Sequence, residues 1–323
     1  MAISAASVTS DFNAAFRQPT LAGFVFERAA RQSVVQQLVP RLAMGGNGVN
    51  VPVVTGRPDL GWIGEGVIKP ATSGTTDIKN MTPKKIAAIL VVSKEVVRAN
   101  PGGYVEQMKM ELADRFAEAF DRAALHDEGP DGTAGGGPFA TYIDQTTNVS
   151  EIGAANAAGG GVHTDFVNAL GDIVTTRDST GRRRRATGWA LDTALEPALW
   201  GSLDSTGRPL YLAQPTDESA DVLVQRGRLL GRPTFMGEGV ASEDQNTVVG
   251  YVGDWSTARW GQIGGIEFSA ADNVAVTVNG SLISTWEQNL VAIKCETEYG
   301  FLVDDVQSFS KLTNTNATPV TSS

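Results

Sequence analysis

The chain has 323 residues, of which 26 are basic and 36 acidic, giving a formal net charge of −10 and a pI near 4.8. A dedicated nucleic-acid binder carries a basic excess, because phosphate neutralisation supplies its affinity, so this chain should not grip DNA globally. One cysteine, Cys295, excludes an intrachain disulfide and a Cys-based zinc site, and two histidines, His126 and His163, leave little for histidine-ligated metals or a catalytic triad.

In chain order, residues 1–45 mix small polar residues with a short amphipathic stretch and suggest an extended arm with a helix around 29–37. Met1 to Thr20 lacks the basic and apolar regions of a signal peptide. Val49, Val51 and Val53 then alternate with polar positions and run into Thr55-Gly56, the pattern of a half-buried strand ending in a turn. Ile86 to Val92 is a second β-rich run, far short of the ~20 residues that span a bilayer. Between them lie Trp62, Glu65 and a Thr/Ser-rich tract from Lys69 to Asn80. The expectation is one long hairpin, strand 49–55 against strand 86–92, with a polar, flexible middle. A hairpin alone is marginal in water and requires a partner surface.

Asn100-Pro101-Gly102-Gly103 breaks the chain before its clearest helix, Tyr104 to about Asp127. Leu112, Phe116 and Phe120 mark an apolar stripe at spacings of three and four. Glu111 with Arg115, and Glu118 with Arg122, sit four apart with the acid first, the favoured order. Gly129-Pro130 reads as its stop, and 131–161 as a Gly-rich link. A compact α/β pattern follows: a helix around Phe166 to Val174, a strand at 186–191, a helix at 195–203 with a turn at 204–207, and strands at 229–233 and 247–251. The last segment, 290–312, reads as two strands about a turn at Gly300, followed by a Thr/Asn/Ser-rich tail.

This order of parts resembles the HK97-like major capsid proteins of tailed double-stranded DNA bacteriophages. Local sequence adds to the likeness: Trp62 to Gly66, then Pro83 to Ala88 and Val92 to Glu95, look like that family's extended-loop signature. Leu112 to Leu125 looks like its spine helix. Asp204 to Leu210, Gly250 to Trp255 and Val291 to Phe309 fit its later strands. The resemblance implies an α+β fold with an N-terminal arm (1–45), an extended-loop hairpin (46–97), a spine helix and peripheral domain (98–160), an axial domain (161–280), and closing strands with a tail (281–323). It implies a major capsid protein, not an enzyme, that self-assembles into an icosahedral shell around the phage genome. Expected partners are itself, in pentamers and hexamers, a portal, and a separate scaffolding protein or a decoration protein. DNA would be enclosed without sequence-specific binding. No membrane, cofactor or metal is implied, and the site is the virion, after synthesis in the bacterial host cytoplasm. Many members carry a cleaved N-terminal scaffolding segment, which the early extended-loop signature argues against here. Trp286 to Asn289 stands where the family often has a Phe. The rivals are an encapsulin-type compartment shell and, from another class, a soluble α+β enzyme or binding module.

Arg182-Arg183-Arg184-Arg185 is read as an intersubunit loop in preference to a DNA-facing patch. Trp62, Glu65, Lys69, Lys84 and Lys85 are the other contact candidates, and Trp62 with strand 86–92 is expected to be buried between subunits. The Gly clusters lack the strand–loop–helix setting and following Lys-Ser/Thr of a phosphate cradle. Acidic pairs such as Asp304-Asp305 read as loop chemistry, and His126 as a cation at a helix C-terminus. A crosslink from Lys69 or Lys79 to Asn289 is conceivable by resemblance, but the polar tract favours hydrated, charged ammonium groups, which are poor nucleophiles.

Overall fold

The three-and-four spacing of apolar residues produces the expected long helix. The structure, a computed structural model, describes residues 33–66, 68–69, 71–99, 104–153, 161–201, 211–213, 224–242, 247–278 and 280–314. Most of the arm, the 100–103 break, the 204–207 turn with Asp204 to Leu210, and the end of the tail lie outside these residues.

Helix α1 (Val34–Leu38) is followed by strands β1 (Val49–Gly56), β2 (Thr75–Met81) and β3 (Lys84–Ser93), then α2 (Lys94–Ala99) and α3 (Tyr104–His126). Next come β4 (Val149–Glu151), α4 (Gly161–Val174), β5 (Gly188–Leu191) and α5 (Glu196–Gly201). Strands β6 (Tyr211–Ala213), β7 (Gln225–Leu229), β8 (Arg232–Met236), β9 (Val248–Gly253) and β10 (Ala258–Ala271) follow. The series closes with β11 (Ala275–Val278), β12 (Ser281–Ser284), β13 (Leu290–Val303) and β14 (Phe309–Thr313).

Two larger sheets flank α3. A three-stranded antiparallel sheet, β10-β13-β3, lays Ile86, Ala88, Phe268 and Cys295 against Leu112, Ala113 and Phe116. Its other face carries charged pairs beside exposed Ile89: there Lys85 lies 3.5 Å from Glu296, and Lys294 3.1 Å from Glu296. A seven-stranded mixed sheet, in the order β4-β14-β9-β5-β8-β7-β6, buries Trp189, Leu191 and Val252 against Phe166 and Ile173 of α4. The central core joins the C-terminal half of α3 to both sheets. Phe120 stands there among Phe139, Trp260, Tyr299 and Phe301, with ring centroids 4.9–6.2 Å away.

Several expectations need correction. The partner of β1 is β2, with Val51 opposite Lys79, and not the strand at 86–92, which pairs with β13 inside its own chain. The polar tract therefore hides a strand. Thr75 to Ile78 are exposed, so a two-sided solvated hairpin reads as loop by composition. Residues 229–233 are not one strand: Leu229 ends β7, Arg232 and Pro233 open β8, and Leu230-Gly231 form the tight turn between them, with φ of 50° and 78°, the positive pair a two-residue hairpin turn of type I′ needs. The link after α3 contains β4, which pairs in parallel with β14. Helix α3 ends at His126, and Asp127, whose φ is 61°, turns the chain out of it before Gly129-Pro130. Arg115 does not take Glu111; it binds Glu118, 2.6 Å away, which also binds Arg122 at 2.6 Å.

Gly300 is not a turn. Strand β13 runs straight through it, opposite Gly261 of β10. A Cβ at Gly261 would lie 2.8 Å from the Leu42 carbonyl oxygen, so glycine there admits the backbone of the 41–44 strap, while at Gly300 it would meet the flexible end of Met44, with Sδ at 2.6 Å.

Candidate functional site

The described residues show an arm projecting from the body. The base of the β1–β2 hairpin is fixed by Val51 and Met81, which pack on Leu302 with Leu42, Met44, Val49 and Val53 around them. Lys79 Nζ, partly buried, donates to the Val303 and Asp304 carbonyls at 3.3 and 2.7 Å. The hydrated ammonium expected at Lys79 is thus corrected: it is a tether between hairpin and body. Beyond the base the hairpin is bare. Leu60, Trp62 and Ile68 are each more than 90% exposed, and Glu65 and Lys69 are exposed beside them. Apolar side chains this exposed and this close together mark a surface that another molecule covers.

The structure separates the other contact candidates. Arg184 donates from Nε and Nη2 to Asp305 at 2.7 and 3.2 Å, and from Nη1 to Thr176 Oγ1 at 3.1 Å, so it is used within its own chain. Arg182, Arg183 and Arg185 are exposed, Arg185 with a long contact to Asp254 at 3.9 Å. Lys85 joins the cross-strand ladder already described, while Lys84 is exposed. Strand 86–92, expected between subunits, is part of the intrachain sheet, with Ile89 on its exposed face. Phe116 and Phe120 are buried and Leu112 half-buried, and all three take part in the core.

Two polar constructions were missed from the sequence. Asp121, on the apolar stripe of α3, accepts from Ser33 Oγ at 2.6 Å and from the Val34 and Val35 amides at 2.7 and 3.1 Å. It satisfies the free N–H groups that open α1. Burial pushes its carboxyl up to about 7, against the three hydrogen bonds that favour the charged form. A lone acid inside an apolar stripe was the available signal. His126, expected as a cation at the helix end, has instead its pKa lowered by burial. Its Nε2 faces the Val240 carbonyl at 2.8 Å and its Nδ1 faces Tyr251 Oη at 2.9 Å. Tyr251 also reaches Asp144 at 2.9 Å, which binds Lys311 at 2.9 Å. The chain of contacts ties α3 to β9 and β14. Among the described residues there is no cluster of His, Cys, Asp and Glu set to hold a metal, and no helix long and apolar enough to cross a membrane.

Comparison with known proteins then decides the family. The model of the phage capsid family matches residues 16–314. The chain belongs to the phage capsid family. A Mycobacterium phage L5 protein described as a probable major capsid protein is 38% identical over 315 residues, covering 94% of this chain and 90% of that one. Among solved structures, one from Mycobacterium phage Ogopogo superposes with a TM-score of 0.67 at 22% identity, over 88% of this chain and 92% of the other. A capsid described as that of an empty GTA particle computed with C5 symmetry gives 0.57 at 17% identity, over 88% and 90%. At such identities the structures speak for the fold, which is the α+β HK97-like capsid fold.

Proposed function

We infer that this phage capsid family member is a major capsid protein whose copies assemble into an icosahedral shell around double-stranded DNA, and that its work is packing, not catalysis. The observation that carries the reading is the bare hairpin: Leu60, Trp62 and Ile68 stand in solvent on an arm that a single subunit cannot cover. A second copy supplies the missing surface, and head-to-tail contacts of this kind close into rings when their rotation closes. Pentamers and hexamers follow from that, with the seven-stranded domain as the axial domain and the β10-β13-β3 sheet with α3 as the peripheral domain. In this reading β10 goes with the peripheral domain and β4 and β14 with the axial domain, because those are the sheets in which they pair. Trp62, Glu65, Lys69, Lys84 and three of the four arginines are the contact residues of this reading. Synthesis in a bacterial cytoplasm, a portal, and a scaffolding or decoration protein belong to the same picture. Negative-stain microscopy of particles from the expressed full chain, with nuclease-protected DNA measured in particles from infected cells, tests it. Closed shells that protect DNA are expected; a monomer, or shells holding a protein cargo in place of DNA, would overturn it.

A further inference from the structure

A groove of about 540 Å³ opens beside the base of the hairpin, with Val53 and Val54 of β1 among its lining and the Arg182–Arg185 loop and Asp304 around them. The loop is built to present its cations. Asp178 Oδ1 accepts from the Thr180 and Arg182 amides at 2.9 and 2.8 Å and from Thr180 Oγ1 at 2.7 Å. Arg177 Nη1 donates to the Gly181 carbonyl at 2.7 Å. With Arg184 held by Asp305, the loop leaves Arg182, Arg183 and Arg185 facing solvent from a preorganised backbone, so little ordering cost remains on binding.

The same chain carries a segment that matches this groove. Asp59-Leu60-Gly61-Trp62-Ile63-Gly64-Glu65 places two exposed carboxylates around three exposed apolar side chains. We propose that the groove at the base of one subunit's hairpin receives the tip of a second copy's hairpin, residues 59–65, with the Asp59 and Glu65 carboxylates on the exposed arginines and the apolar residues over Val53 and Val54. This rests on the shell reading above and names the contact that reading leaves open. Tip and groove are different surfaces, so the contact is heterologous and repeats from copy to copy. Nucleic acid fits the groove less well. Asp178, Asp254, Asp304 and Asp305 lie among the arginines and would oppose a continuous polyanion, whereas two isolated carboxylates can each select a guanidinium.

Charge reversal tests the contact in the full-length chain. Arg182→Glu/Arg183→Glu alters exposed side chains, so the melting temperature of the subunit should stay as in the wild type. The yield of particles by sedimentation and microscopy should fall by at least about tenfold, because like charges then face each other at every repeat of the interface. Asp59→Arg/Glu65→Arg should fall likewise, and the chain carrying all four changes should recover most of the yield. Reversed arginines that assemble like the wild type, or a four-change chain no better than its parents, would overturn the contact and leave the shell reading standing. Normal particles that lose only their DNA would also overturn it, assigning the groove to nucleic acid. A wild-type chain that never assembles overturns both.

Discussion

His126 and Asp121 are the buried titratable groups whose pKa shifts have opposite consequences. His126 has its folded pKa lowered from 6.5 by burial. Its contribution to stability is therefore complete above about 6.5 and is lost as the pH falls toward the folded value. The melting-temperature advantage of wild type over His126→Gln should shrink between about pH 7.5 and pH 5, and an advantage constant across that range contradicts the assignment of a buried neutral imidazole. Asp121 has its folded pKa raised from 3.8 to about 7, so its contribution is fully present below 3.8 and is lost as the pH rises through about 7. Wild type should accordingly gain on Asp121→Asn as the pH is lowered from neutrality, the opposite direction to the histidine pair. Differential scanning fluorimetry of the three chains over the same buffers checks both signs. Beyond the lone acid inside an apolar stripe, neither role was legible in the sequence, since the partners Ser33, Val240 and Tyr251 are about 88 to 125 residues away along the chain.

The long helix shows how much an element's own pattern can reveal. Its stripe identified Phe116 and Phe120 as core, but the two are not equal. Phe116 lies in a small cluster with Ala113, Ile266 and Cys295, whereas Phe120 touches four aromatic rings in the largest core. Truncating a buried Phe costs ~3–5 kcal/mol and aromatic pairs add ~0.5–1.5 each. Phe120→Ala should therefore lose more than Phe116→Ala, by about 2 kcal/mol or more in chemical denaturation of the subunit. Equal losses would mean that the ring cluster adds nothing beyond area. The strands were less legible, for two reasons. β2 is solvated on both faces, so its Thr, Asp and Lys residues imitate a loop. β10 and β13 carry glycines at 261 and 300 that admit Met44 and Met81, and glycine in a strand looks like a turn when the strap that approaches it is not in view.

At the scale of the whole molecule, the fold has a body packed around its own cores and an arm that is bare beyond its base. The body holds the two larger sheets and α3 around buried aromatics, and the arm carries exposed Trp62. The linear order of parts was enough to suggest the shell family, because that order follows from local periodicity. The pairing of strands far apart in sequence was not, and it changes where the arm can be cut. Residues 75–81 form β2 and anchor the base through Met81, so a deletion reaching residue 80 would damage the body; the dispensable segment is 57–74. Replacing 57–74 with a short turn and measuring particle mass by analytical ultracentrifugation, beside a melting curve of the subunit, is the most direct test of the account. A variant that melts like the wild type but stays as subunits or small oligomers, where the wild type forms megadalton shells, is the predicted result. Shells of normal mass and stability from the shortened chain would contradict it.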